Sequence, residues 1–117
     1  VQFLVLLTAP HHFARWEQLS PDQLDDAMAS FRSFAKAVQE RGEIVAGDAL
    51  FPPDTARTVQ MGPDRAVTDG PFAETVEQLA GFYVIDVDSL ETALDLVRLL
   101  PDHTAIEVRP TRGVPIR

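Results

Sequence analysis

Phe3-Leu4-Val5-Leu6-Leu7 and Phe82-Tyr83-Val84-Ile85 are the two stretches that decide the fold. Each is an unbroken apolar run too short for a helix and rich in strand-forming side chains, the pattern of a strand buried on both faces. Pro10 stops the first run. Between the two, Ser20-Pro21-Asp22-Gln23 has the signature of a helix start: Ser20 as cap, Pro21 in the first turn, Gln23 reaching back to complete a capping box. Leu24, Met28, Phe31, Ala35 and Val38 recur at alternating spacings of four and three, which predicts one apolar stripe. Gly42 ends that helix through its freedom at positive φ.

Glu43 to Leu50 reads as a second strand, stopped by Pro52-Pro53. Thr55 to Gln60 and Arg65 to Thr68 flank Met61-Gly62-Pro63-Asp64 and predict a hairpin whose mostly polar strands form an exposed arm. After the Phe82 run, Asp88 and Glu91 mark a helix start, Leu90, Leu94, Val97 and Leu100 form its stripe, and Pro101 closes it. Thr104 to Arg109 is a final strand, with Pro110 and Pro115 as punctuation beyond it.

The order is β-α-β, a hairpin arm, then β-α-β. This is the α+β class, a ferredoxin-like split βαβ with an antiparallel sheet and two helices on one face, in a single domain over residues 1–117. Its two central strands are apolar on both sides, yet two helices cover one face only. The uncovered face demands a partner, and a second copy stacking sheet on sheet is the simplest, giving a homodimer of the dimeric α+β barrel kind.

Composition narrows the chemistry. The 117 residues include no cysteine, which removes disulfides, thiolate metal sites and cysteine nucleophiles together. A net charge of −8 argues against nucleic acid or an anionic membrane as partner. No apolar stretch is long enough to span a membrane, and the expected location is the cytoplasm. Carboxylate and imidazole remain.

His11 and His12 follow the first strand, where loops often carry function. Each suits a general base or a metal ligand, although a solvated loop is the commoner setting for such a residue. Neighbouring rings in extended chain point opposite ways, so joint chelation is not expected, and no spacing of a dedicated metal site occurs. His103, in the Pro101-Asp102-His103 turn, reads as structural or solvated. Trp16, in a short loop after the histidine pair, reads as core or dimer packing, with a pocket wall as the alternative. Asp69-Gly70-Pro71-Phe72 forms a rigid turn: Gly70 permits its geometry, Pro71 fixes it, and Phe72 is placed to anchor it to the core. Asp69 either bonds its own turn or presents a carboxylate at the mouth of a pocket. Glu74 and Glu77 are candidate second carboxylates, or part of a solvated acidic face. No phosphate-binding glycine motif is present and no cofactor is expected.

At Asp69-Gly70-Pro71-Phe72-Ala73-Glu74-Thr75 the chain resembles the YCII-related family, specifically its DGPF branch. The likeness continues through Gln78-Leu79-Ala80-Gly81-Phe82-Tyr83-Val84-Ile85-Asp86-Val87. It also takes in Gly47-Asp48-Ala49-Leu50, Thr55-Ala56-Arg57-Thr58-Val59 and Ile106-Glu107-Val108-Arg109-Pro110. The resemblance implies a dimeric ferredoxin-like barrel. It further implies a small-molecule site with a His–Asp pair, acid–base chemistry of a lyase, isomerase or dehydrochlorinase kind, and Asp69 as the carboxylate. The family's helix histidine falls, counting back from Gly47, on Ser30, so His11 or His12 is the candidate replacement. Branch members also neighbour sigma-factor genes, which implies a non-catalytic regulatory dimer with a protein partner as the alternative.

Overall fold

The computed structural model describes residues 1–73 and 75–113. Glu74 and Pro115, both used in the sequence reading, lie outside the described residues. Strand β1 (Gln2–Pro10) leads through a short helix α1 (His12–Glu17) into the long helix α2 (Pro21–Arg41) and strand β2 (Glu43–Ala49). A 3-10 turn at Pro53–Thr55 precedes the arm strands β3 (Arg57–Val59) and β4 (Val67–Asp69). Strand β5 (Glu77–Asp86), helix α3 (Leu90–Val97) and strand β6 (Ala105–Pro110) complete the chain.

The main sheet runs β2-β5-β1-β6 with every neighbouring pair antiparallel. That order puts the two apolar runs side by side at the centre, as the ferredoxin-like arrangement requires. Along β1, Phe3, Val5, Leu7 and Ala9 are buried and alternate with half-buried Leu4, Leu6 and Thr8. The register sets Leu4 opposite Val84 and Leu6 opposite Phe82, so these four share the face away from the core. Within one chain, then, each central strand buries one face and leaves an apolar second face half covered.

Phe34, Ile85, Val5 and Val38 are the largest fully buried side chains. Ser20 and Gln23 form the expected capping box at the start of α2. The stripe beyond it is rotated from the predicted one: Ala27, Phe34 and Val38 are buried, while Leu24 and Met28 are exposed. Phe34 is fully buried and packs on Tyr83 with ring centroids 4.8 Å apart and the planes tilted by 53°, while Phe31 and Ala35 of the predicted stripe are half buried. Along α3 and just beyond it, the predicted Val97 and Leu100 are buried together with Ala93 and Leu96, while Leu90 and Leu94 are exposed. Its cap is Ser89, whose hydroxyl accepts from the Thr92 amide. The buried Thr92 hydroxyl donates to Asp88 at 2.6 Å and accepts from Arg41 at the end of α2. The Thr92 bond, above all, holds the exposed Asp88 carboxyl below its ordinary pKa.

Gly42 does end α2, for a different reason than expected. Its φ of 173° is extended backbone open to any residue. A Cβ there would run into the Asp86 carbonyl, so the site needs a missing side chain rather than a left-handed turn.

Candidate functional site

The end of the sheet where β1 finishes and β5 and β6 begin gathers the chemistry-bearing residues. His11 takes a left-handed conformation, φ 51°, and its amide donates to the Val76 carbonyl at 2.8 Å, three residues past Ala73. This turn sends the chain into α1, which the sequence reading treated as loop. The histidine pair is therefore not in extended chain, and Trp16 sits one helical turn after His12. The Phe13 amide donates to the Gln78 side chain and fastens α1 to β5.

His12 lies half buried at the centre of an aromatic cluster. Its ring is 5.8 Å from Trp16, meets Phe13 edge-on at 4.9 Å, and stacks parallel to His103 at 6.2 Å, with 5° between the planes. Its Nδ1 is cut off from solvent and has no hydrogen-bond partner among the described residues, an uncommon state for a buried polar atom. Burial first, then the neighbouring His103, then Arg15, push its pKa below 6.5. The imidazole is thus neutral at pH 7.

His103 is the member that sequence reasoning passed over. The signal was present in the topology. A last strand antiparallel to the first must begin where the first ends, so the turn before it lies beside His11 and His12. A cleft of about 320 Å³ touches the same turn at Pro101, Asp102 and Thr104 but is otherwise walled by residues on and just beyond α3 and by Ile106 of β6, and none of His12, Trp16 and His103 lines it.

Asp69 stands elsewhere. It is the last residue of β4, its side chain 91% exposed, paired with Arg57 across the arm at 3.2 Å. None of the described contacts joins it to a histidine. Gly70 has the positive φ, 89°, that the turn reading requires, and Pro71 is half buried. Phe72 does not pin the turn to the core of its own chain, being 92% exposed. Ser30 is half buried on α2, one turn before Phe34. Among the described residues no group of three or more His, Asp or Glu is placed to hold a metal ion.

The model of the YCII-related domain matches residues 3–112. The chain belongs to the YCII-related family. It is also 38% identical over 96 residues to an uncharacterized protein of Rhizobium meliloti (strain 1021), covering 78% of this chain and 77% of that one. The YCII-related match spans both βαβ halves and the arm, so the Asp69 turn and the His12 cluster both lie within it. No helix among the described residues is long and apolar enough to cross a membrane.

Proposed function

We propose that this YCII-related chain binds a small molecule at the sheet end where His12, Trp16 and His103 meet, and that it does so as a homodimer. The carrying observation is the His12 ring: neutral, half buried, with a shielded Nδ1 that lacks a partner in its own chain. An unsatisfied buried polar atom costs about 1–3 kcal/mol, which a ligand whose binding turns the ring and brings Nδ1 within hydrogen-bond reach would offset. Half-buried Leu4, Leu6, Phe82 and Val84 on the open sheet face support stacking against a second copy.

A second reading, acid–base catalysis, is favoured by the same ring. A neutral imidazole within a proton's reach of solvent suits a general base. Asp69 and His11 enter as the residues that the family resemblance and their position single out. The resemblance of the Asp69–Thr75 run to the DGPF branch supports assigning the chain to that branch, and the composition suits a cytoplasmic protein.

Thermal-shift screening against small aromatic and aliphatic acids tests the site, because a ligand bound at a hundred times its Kd stabilises by about 2.7 kcal/mol. A hit that raises the melting temperature of wild type and of Asp69→Asn, but not of His12→Ala or His103→Ala, supports the binding site. Equal shifts in all four proteins would remove it. Turnover of a hit that survives His12→Ala would end the acid–base reading.

A further inference from the structure

The chain has more surface than a domain of its size should. A compact 12.9 kDa monomer exposes roughly 6,300 Å², whereas this one exposes 8334 Å². Its radius of gyration is 16.0 Å, against about 13.4 Å for a compact globule of this length. The molecule is a slab of 47 × 41 × 18 Å. The surplus, about 2,000 Å², falls in the range that one protomer contributes to an obligate homodimer. The open face of the main sheet does not account for it. A four-stranded face some seven residues long covers only about 450 Å² of plane.

Part of the remainder sits on the arm. Phe51, Met61 and Phe72 are 83%, 91% and 92% exposed, three large apolar side chains on one excursion of the chain. The arm strands pair only with each other, outside the main sheet. Their two faces differ. Thr58 and Thr68 share one, where the Thr58 hydroxyl donates to the Gly70 carbonyl and Thr68 accepts from Gln60. Val59 and Val67 are paired on the other, both exposed, beside the Arg57–Asp69 ion pair. An isolated two-stranded ribbon is marginal in water unless it lies on something. The arm is also nearly uncharged for so acidic a chain: over residues 51–73, Asp54, Asp64 and Asp69 stand against Arg57 and Arg65, leaving −1 of the total −8. It can approach another copy with little like-charge repulsion.

We infer that the arm is an interface element, docking its Val59–Val67 face and the flanking Phe51, Met61 and Phe72 on a second copy of this chain. The inference rests on the homodimer proposed above and adds a second contact to the sheet-on-sheet one. Ordering of the arm is then tied to association: the ribbon is held flat in the dimer and left without support in the monomer.

Sedimentation equilibrium and amide hydrogen exchange test this on the full chain. Val59→Thr combined with Val67→Thr keeps strand propensity while removing the apolar face. Roughly a tenfold or greater rise in the dimer dissociation constant, about 1.4 kcal/mol, is expected, with far-UV circular dichroism unchanged. Leu6→Asp, on the open sheet face, supplies a monomer. In it the Gln60 and Gly70 amides, which bond to Ala66 and Ala56 within the arm, should exchange at least tenfold faster than in the wild-type dimer, while α2 amides keep their protection. A wild-type dimer whose dissociation constant is unmoved by the threonine pair would overturn the arm contact and leave the homodimer standing. A wild-type monomer at low micromolar concentration would overturn both.

Discussion

At the scale of single residues, His12 is where burial and neighbouring charge act together on a titratable group. An unfolded chain protonates this imidazole near pH 6.5, and the folded protein does so at lower pH. Between the two midpoints the unfolded state holds more protons, so stability rises with pH across that window. His12 therefore contributes its full share above about pH 6.5, and the share is lost as pH falls through the folded midpoint. The imidazole C–H resonance of His12 should titrate below 6.5. In His103→Ala the midpoint should move back up, because that change removes both a neighbouring positive charge and part of the cover. The melting temperature of wild type should also fall more steeply on mild acidification than that of His12→Asn. Parallel curves for the two proteins would show that His12 is not the group responsible.

At the scale of elements, the junction of α2 and β2 is set by contact rather than by backbone handedness. Gly42→Ala keeps an allowed φ yet drives a methyl group into the Asp86 carbonyl on β5. Relief requires moving one main-chain segment away from another, so the substitution should cost about 1–3 kcal/mol, measured as a lower urea midpoint at constant slope. A loss below about 0.5 kcal/mol, the size of an ordinary surface substitution, would mean that the junction yields freely. The same junction shows how far the sequence could be read. Gly42 was legible as the end of a helix because helix periodicity stops there, but its reason lay in β5, more than forty residues away. The stripes of α2 and α3 were legible as stripes. Their rotation was not, since Phe34 and Leu24 lie on neighbouring edges of one broad apolar arc and only the sheet beneath decides between them. Helix α1 was hidden because it spans six residues and has no side-chain cap, and His11 begins it from a left-handed conformation. The strand order needed only the two apolar runs and the spacing between them. The site followed unevenly: the Asp69 turn was visible as a motif, whereas the His12–His103 stack depends on a contact between opposite ends of the chain.

At the scale of the whole molecule, hydrophobic cover and net charge oppose each other. The homodimer proposed above would hide the Leu4, Leu6, Phe82 and Val84 face, which favours association, and would place a total charge of −16 in one particle, which does not. The arm carries little of that charge, so the repulsion comes from the open face, where Glu43, Asp48, Asp86 and Glu107 outnumber Arg109, and from acids on and beside α3: Asp88, Glu91, Asp95 and Asp102. Such charges act over distance and are screened by salt, with a Debye length that shrinks from about 30 Å at 0.01 M to about 8 Å at 0.15 M. The apolar contact is barely affected over that range. The dimer dissociation constant should therefore fall as sodium chloride is raised from about 0.01 M to 0.15 M, the reverse of what an interface held by opposite charges would do. Sedimentation of wild type across that series measures it. A dimer that weakens with salt would mean that attractive ion pairs, rather than the apolar sheet face and arm, hold the copies together.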